Sequence, residues 1–200
     1  MRIVAGQFRG RKIKTLKGGK LRPTSDQLRE TLFDVLGPSV EDSNFLDAYA
    51  GSGAVGLEAL SRGAREVVFL EHHRPAVELI RQNLSALGIE AGFRIVASAV
   101  LSGLEKLAEE GRRFDFIFLD PPYEEIREYH HALRQLGRGE LLHPTSLVMA
   151  EHSRHCLLEE RYVRLVRTRL LRRGDAQLAF YRPEESRGSR GNEGKPAHEA

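Results

Sequence analysis

Short apolar runs alternate with longer segments of helical apolar spacing through most of this 200-residue chain. Four such pairs follow one another, with strand-like runs at residues 45–46, 67–70, 93–96 and 116–119 and helical segments at 55–61, 76–87, 101–109 and 126–136. A fifth strand at 146–150 and two closing strands at 162–171 and 178–181 complete the pattern. The sequence therefore predicts an α/β fold, a mostly parallel seven-stranded sheet with helices on both faces. Ligands of such sheets bind at the carboxyl ends of the strands.

Composition divides the chain into three parts. Residues 1–23 form a basic arm with interleaved apolar residues and glycines, which predicts a small β-hairpin. Residues 24–182 carry the alternating pattern and form the main domain. From residue 183 onward there is no aromatic residue and no aliphatic residue larger than alanine. Such a segment cannot bury enough surface to fold, so residues 183–200 are predicted to be a disordered polar tail.

Several classes of protein are excluded by composition. The apolar runs are far shorter than the roughly 20 residues of a membrane span, and no secretory signal is visible, so we expect a cytoplasmic protein. Cys156 is the only cysteine, which excludes a disulfide scaffold and a thiolate metal cluster. The eight histidines show no metal-ligand spacing such as H-E-x-x-H, so no metal site is expected.

Positive charge is concentrated in the arm. Residues 1–25 contain eight Lys and Arg and no acid, although the whole chain has a formal net charge of only +3. This asymmetry favours a polyanionic partner, because each phosphate that is neutralised releases condensed counterions. A merely solvated basic end is the alternative. The candidate nucleic-acid contacts in the arm are Arg2, Arg9, Arg11, Lys12, Lys14, Lys17 and Arg22.

A glycine-rich loop follows the first predicted strand. The pattern G-x-G-x-x-G at residues 51–56 begins four residues after Asp47, and Glu71 ends the second strand. Loop amides at a helix start bind an anionic group, and a carboxylate after the second strand can accept both ribose hydroxyls. Asp47 would repel a dinucleotide pyrophosphate and attract the ammonium of S-adenosylmethionine, which favours the methyl donor over NAD. The alternative is a glycine turn that serves only tight strand–helix packing.

The tetrapeptide Asp120-Pro121-Pro122-Tyr123 directly follows the fourth predicted strand. Two prolines fix the backbone, so the strand turns sharply and Asp120 is held in one pose. Hydrogen bonds from an exocyclic amino group to the Asp120 carboxylate and the Pro121 carbonyl would weaken the conjugation of its lone pair and aim it at a donor methyl. Tyr123 can stack on an extruded base. The alternative is a surface turn in which Asp120 caps the next helix.

Several stretches together resemble one enzyme family. They are RIVAGQFRGRK at residues 2–12, LRPTSD at 21–26, RETLF at 29–33, the loop region 47–63 and residues 120–123. The combination resembles the RsmD family of bacterial 16S ribosomal RNA methyltransferases. The resemblance implies a Rossmann-like S-adenosylmethionine-dependent methyltransferase fold. It also implies methylation of the N2 amino group of one guanine in small-subunit ribosomal RNA.

The resemblance assigns roles to individual residues. Arg22 and Arg29 match positions next to the active edge and join the candidate RNA contacts. Residues lining the cofactor would be Asp47, Tyr49, Gly51, Ser52, Gly53 and Glu71. The target base would meet Asp120, Pro121, Pro122 and Tyr123. No carboxylate follows the third predicted strand, where Ser98 is left to accept one hydrogen bond from adenine.

The leading hypothesis is a monomeric ribosomal RNA (guanine-N2) methyltransferase that uses S-adenosylmethionine. Its substrate would be 16S ribosomal RNA or a partly assembled small ribosomal subunit, with no membrane partner. DNA adenine-N6 methylation is the alternative among enzymes, because an Asp-Pro-Pro-Tyr motif is also suited to binding the exocyclic N6 amino group of adenine. A non-catalytic RNA-binding factor for ribosome assembly is the alternative of another class, and an NAD oxidoreductase is a distant third.

Overall fold

The computed structural model describes residues 1–15, 26–122 and 125–184. In these ranges the α-helices are α1 Asp26–Leu36, α2 Ala54–Ser61, α3 Arg74–Leu87, α4 Val100–Glu109 and α5 Ile126–Leu136. The strands are β1 Asn44–Ala48, β2 Glu66–Glu71, β3 Phe93–Ala97, β4 Phe114–Leu119, β5 Leu142–Ser153, β6 Arg161–Tyr162, β7 Leu165–Arg173 and β8 Ala176–Pro183. Of the predicted features, Lys17, Arg22, Tyr123 and the tail after residue 184 lie outside the described residues.

All eight strands form one sheet in the order β3-β2-β1-β4-β5-β8-β7-β6. The first five are parallel to one another, and β8, β7 and β6 are added in antiparallel pairs. The prediction of a mostly parallel α/β sheet is confirmed. The chain proceeds from β1 outward to β2 and β3 and then crosses back to β4, so the strand order reverses between β1 and β4. Open α/β sheets bind their ligands at such a reversal.

The strand predicted at residues 162–171 is divided into two. Val163 has a φ of 54°, in the left-handed region that a β-branched residue rarely adopts. The next amide, that of Arg164, donates to the Gly137 carbonyl at 3.2 Å instead of continuing a ladder. The chain therefore turns at this point, and β6 pairs antiparallel with β7. The described residues therefore contain eight strands, whereas the sequence predicts seven.

Helices cover both faces of the sheet, as the alternation predicts. The face carrying Phe116 and Phe118 packs against α1, α2 and α3, and the face carrying Ile117 and Leu119 packs against α4 and α5. Since β4 is buried on both sides, its sequence is almost continuously apolar. Polar side chains of the central strands can then gather only where the strands end.

The N-terminal arm, described for residues 1–15, folds back on itself over α2 and α3. Ile3 and Ile13 are buried in the core on that face. Arg2 and Lys12 form an isolated antiparallel bridge, but residues 1–15 contain no strand, so this part of the arm is not the regular hairpin that we expected. The physical reason is that arm amides bond to core side chains. Glu58 of α2 alone accepts two of them.

The main domain extends slightly beyond its predicted boundary at residue 182. Pro183 belongs to β8, and the Glu184 carboxylate forms an ion pair with Arg161 at 2.6 Å. Within the described ranges, no helix has the length and apolarity to cross a membrane.

Candidate active site

Three central strands end side by side at one edge of the sheet. In the parallel register, Ala48 of β1 lies opposite Leu70 of β2 and Leu119 of β4. The next residues in each chain segment are Tyr49, Glu71 and Asp120, and neighbouring strands are about 4.8 Å apart. The glycine loop and the Asp-Pro-Pro turn are distant in the sequence, yet they are adjacent at the point where the strand order reverses.

The glycine loop has the backbone shape that its sequence predicts. Tyr49, Gly51 and Gly53 all have positive φ angles, of 65°, 54° and 77°. Gly53 is the N-cap of α2, so the first amides of that helix face the strand ends. Gly56 has a packing role, because a Cβ there would lie 2.3 Å from the Phe69 ring on β2. The loop combines left-handed backbone turns with a close helix–strand contact.

Asp47 is a buried carboxylate beneath this loop. Its side chain is only 2% exposed, and Oδ2 accepts the Gly56 amide at 2.8 Å. Burial raises the pKa of Asp47 to about 8, the Gly56 hydrogen bond lowers it, and the negative charge of Glu71 raises it further. A cationic ligand would favour the ionised form of this group, whereas an anionic pyrophosphate would oppose it. The site therefore fits a ligand with an ammonium or sulfonium group.

Glu71 holds the loop from the neighbouring strand. Its Oε2 accepts the Gly51 amide at 2.8 Å and its Oε1 accepts the His73 amide at 2.8 Å. Two backbone bonds fix the carboxylate at the strand end, where the ribose of a nucleotide binds in folds of this kind. Each oxygen keeps further acceptor capacity, so Glu71 can also receive the hydroxyls of a ribose.

Tyr49 connects the loop to α5. Its hydroxyl donates to Glu128 Oε2 at 3.0 Å, and burial together with the Glu128 charge raises the pKa of Tyr49. This bond holds a non-glycine residue in the left-handed conformation, which is a strained one. Sequence reasoning missed Glu128. Its only signal in the sequence is an acid in the first turn of a predicted helix, which is too common to single out.

Two consecutive prolines follow Asp120 directly after β4. Asp120 is half-buried at the strand end, and the Glu125 amide donates to the Pro122 carbonyl at 2.8 Å, closing the loop toward α5. Two consecutive prolines leave this segment little conformational freedom. Asp47 lies opposite Phe69 of β2 and Phe118 of β4, and Asp120 is two residues beyond Phe118. By this register, the backbone positions of Asp47, Glu71 and Asp120 lie at or next to the same end of neighbouring strands.

Pro121 is fixed by a neighbouring strand and by α5. The Tyr129 hydroxyl, fully buried, lies 3.2 Å from the Pro121 carbonyl oxygen and donates to the Glu151 carbonyl at 2.7 Å. Because Leu119 lies opposite Ala150, the next residue of β5, Glu151, lies beside Asp120. Glu151 is only 3% exposed and was also missed by sequence reasoning, since it stands in an ordinary strand without a motif.

Ser98 lies at the far side of the same edge. Its amide donates to the Glu71 carbonyl at 3.1 Å, and its hydroxyl donates to the Ala99 carbonyl at 3.2 Å. The residue therefore borders the candidate cofactor crevice, with its oxygen still able to accept a hydrogen bond. Within the described ranges, no group of three or more His, Cys, Asp or Glu is arranged to hold a metal ion.

The candidate RNA contacts have different surroundings. Arg2, Arg9, Lys12 and Lys14 are exposed on the arm. The Arg11 guanidinium donates to the Leu87 carbonyl at 3.1 Å, so it caps the end of α3.

Arg29 is the clearest departure from the expected RNA surface. Its side chain is 0% exposed, and it donates to Asp26 Oδ1 at 2.9 Å and to the Arg2 carbonyl at 2.6 Å. A buried guanidinium tied to the arm is a structural link rather than an RNA contact. Residue type could not show this, because an arginine beside a basic arm ordinarily stays in solvent.

Similar solved structures define the class of this fold. An Escherichia coli structure named as the methyltransferase yhhF matches with a TM-score of 0.81 and 33% identity, covering 93% of this chain and 99% of that chain. The structure of SMU.776, named as a methyltransferase complexed with SAH, matches with a TM-score of 0.66 and 16% identity, covering 82% of this chain and 50% of that chain. The fold is that of an S-adenosylmethionine-dependent methyltransferase.

The family follows from the sequence match. Over residues 1–182 the chain matches the family described as conserved hypothetical protein 95. Ribosomal RNA small subunit methyltransferase D of Haemophilus influenzae is 37% identical over 151 residues, covering 76% of this chain and 78% of that protein. The chain belongs to this family, the RsmD family, as the motifs predict.

Proposed function

We propose that the protein transfers a methyl group from S-adenosylmethionine to the exocyclic N2 amino group of a guanine in 16S ribosomal RNA. The observation that supports this most strongly is the adjacency of Asp120 to the Tyr49–Gly53 loop across the β1–β4 register. The cofactor end of the sheet and the amino-binding turn share one edge there. The relatedness to ribosomal RNA small subunit methyltransferase D supports the choice of RNA.

Cofactor binding uses the three elements of the crevice. The ionised Asp47 attracts the ammonium, the loop amides near Gly53 receive the carboxylate, and Glu71 accepts the ribose hydroxyls. S-adenosylmethionine, when bound, supplies an electrophilic methyl carbon on its sulfonium sulfur. Ser98 contributes one acceptor beside the adenine.

The turn after β4 prepares the nucleophile. The amino group donates its two N–H bonds to the Asp120 carboxylate and the Pro121 carbonyl, which reduces conjugation of the nitrogen lone pair with the ring. Transfer would form a nitrogen–carbon bond as the carbon–sulfur bond breaks and S-adenosylhomocysteine leaves, and Asp120 or water would take the departing proton. Tyr129 keeps the Pro121 carbonyl in place. Tyr123 would stack on the target base.

The arm supplies the electrostatic contribution to RNA binding. Arg2, Arg9, Lys12 and Lys14 are exposed along it, and Lys17 and Arg22 extend the same run of charge. Phosphate contacts of this kind hold and orient an RNA without reading its sequence. We also propose that the protein is cytoplasmic and acts as a monomer on a ribosomal substrate, either free 16S ribosomal RNA or a partly assembled subunit.

A digest of methylated nucleosides tests the proposal. The protein is incubated with labelled S-adenosylmethionine and small-subunit particles, free 16S ribosomal RNA or DNA, and the nucleosides are separated. We expect label in N2-methylguanosine. Label in N6-methyladenine of DNA would replace the proposal with the alternative enzyme, and binding of RNA without any transfer would favour an assembly factor.

The variant Asp120→Asn tests the role of the Asp120 carboxylate in methyl transfer. We expect methyl transfer to fall by about 100-fold or more, because the carboxylate acts on the reacting amino group, while RNA affinity is retained. Asp115→Asn is the control, since Asp115 lies at the opposite end of β4 and accepts the Asn44 amide at 2.8 Å.

A further inference from the structure

A buried asparagine joins the N-terminal arm to the cofactor loop. Asn83 on α3 is 1% exposed. Its Oδ1 accepts the Lys14 amide at 2.8 Å, and its Nδ2 donates to the Lys14 carbonyl at 3.0 Å and to the Ser52 carbonyl at 3.0 Å. The Asn83 side chain thus bonds to the amide and the carbonyl of Lys14 in the arm and to the carbonyl of Ser52 in the loop.

The other side-chain anchors of arm residues 1–15 bond to the arm away from the loop. Glu58 accepts the Val4 amide at 2.8 Å and the Ala5 amide at 2.9 Å, and Ser61 Oγ accepts the Phe8 amide at 3.0 Å. Both side chains lie on α2, after the loop has ended. Asn83 is therefore the residue whose hydrogen bonds span the described part of the arm and the loop.

Ser52 is a sensitive point of the loop. It stands between Gly51 and Gly53, both with positive φ, and glycine permits several backbone conformations at each position. The loop needs a fixed carbonyl at Ser52 if its amides are to point at a ligand, and the amide of Asn83 supplies the donor. If the arm withdraws, Asn83 loses two of its three bonds inside a buried site and is no longer held in this orientation.

We propose that Asn83 is a positioning residue that couples docking of the arm to cofactor affinity. With the arm docked, Lys14 orients the Asn83 amide and the Asn83 amide orients Ser52, so the loop is preformed for S-adenosylmethionine. Coupling of two sites is reciprocal, so cofactor binding also stabilises the docked arm. This inference rests on the proposed cofactor site, and it links RNA contacts on the arm to the methyl donor without any contact between the two ligands.

The first experiment measures S-adenosylhomocysteine affinity by calorimetry without RNA. Asn83→Asp has the same size and keeps an acceptor for the Lys14 amide, but places an acceptor against the Ser52 carbonyl. Asn83→Ala removes all three bonds. We expect both variants to bind S-adenosylhomocysteine about tenfold more weakly, which is the usual size of a coupling of this kind.

Ser61→Ala is the matched control. It removes a buried hydroxyl that accepts the Phe8 amide, so it lowers thermal stability but leaves the Lys14–Asn83 pairing and the loop in place. Its S-adenosylhomocysteine affinity should stay within about twofold of the parent protein if only the Asn83 contact transmits the effect. Equal affinities for the Asn83 variants and the parent protein would overturn the inference, as would equal losses for Asn83→Asp and Ser61→Ala.

Hydrogen exchange in the unaltered protein gives a second test that requires no variant. Saturation with S-adenosylhomocysteine should slow exchange of the Lys14 amide, which donates to Asn83, more than exchange of the Phe8 amide, which donates to Ser61. Unchanged exchange at Lys14 would refute the coupling even if the ligand binds. Failure of the unaltered protein to bind S-adenosylhomocysteine would instead reject the proposed cofactor site, and the inference with it.

Discussion

The hydroxyl of Tyr129 lies 3.2 Å from the carbonyl oxygen of Pro121, so a buried phenol on α5 supports the main-chain group proposed to receive a substrate amino proton. The same hydroxyl donates to the Glu151 carbonyl at 2.7 Å. It therefore ties α5 to β5 and to the turn that follows β4. A residue outside the Asp-Pro-Pro-Tyr motif therefore helps to hold the segment that follows β4.

Tyr129→Phe tests this support. Removing the hydroxyl takes a buried donor away from the Glu151 carbonyl and frees the Pro121 carbonyl to shift, so we expect about tenfold slower methyl transfer and a loss of about 1–3 kcal/mol in unfolding free energy. Cofactor affinity should be unchanged. Single-turnover transfer and urea unfolding measure the two effects.

Tyr162→Phe is the control for this change. Tyr162 is 1% exposed, and its hydroxyl accepts the Glu159 amide at 2.9 Å, away from the turn after β4. It should lose stability but keep the rate of methyl transfer. Equal rates for both variants would contradict a positioning role for Tyr129.

Asp47→Asn should change how stability depends on pH. Burial raises the pKa of Asp47 from its ordinary value of 3.8 to about 8 in the folded protein, so the folded state holds a proton that the unfolded chain releases. The stabilisation that this bound proton gives the folded state is complete below about pH 4 and is lost as the pH rises to about 8. In that range the free energy of unfolding falls by at most about 1.4 kcal/mol per pH unit. An asparagine side chain cannot ionise, so urea unfolding of the variant should show a flatter pH profile and a growing advantage toward pH 8. Parallel profiles for the two proteins would contradict the raised pKa.

Binding of the methyl donor should release a proton from Asp47. At about pH 7 the buried carboxyl is largely protonated, because its pKa is raised to about 8, and a cationic ligand favours ionisation. Calorimetry in buffers of different ionisation enthalpy should therefore show release of close to one proton per S-adenosylmethionine bound, and weaker binding as the solution becomes more acidic. Asp47→Asn should abolish the release, and a release that persists in this variant would assign the proton to another group.

Neutralising the arm should reduce the salt dependence of RNA binding. Arg9→Ala with Lys12→Ala removes two exposed charges from the arm, so affinity should fall. The slope of log K against log salt should decrease by about 0.7 for each phosphate of single-stranded RNA that the variant no longer neutralises. Arg138→Ala with Arg164→Ala removes two exposed arginines away from the arm and serves as the control. An unchanged slope for the arm variant would show that these residues do not bind phosphates.

Much of the framework was predictable because its signals are local. The four apolar runs and helical segments define the sheet, and residues 51–56 and 120–123 follow their strands as a strand-end site requires. Parallel strands then bring Asp47, Glu71 and Asp120 to one edge without further information.

The remaining features depend on contacts between distant segments. Arg29 is basic and lies near a basic arm, yet it is buried, because Asp26 balances its charge and the Arg2 carbonyl accepts a hydrogen bond from it. Val163 takes a left-handed conformation inside an otherwise strand-like run, and nothing in its residue type predicts that. Asn83 is one polar residue in an amphipathic helix, and its partners come from segments 31 and 69 residues away.

Besides the buried Ile3 and Ile13 side chains, several anchors of the arm bind its peptide groups. Glu58 receives main-chain amides, and Asn83 pairs with the amide and carbonyl of Lys14. Because these anchors do not require particular side chains at Val4, Ala5 or Lys14, substitutions there can alter the outward chemistry of the arm while it remains attached. The arm can thus present a different outer surface without any change in the domain beneath it.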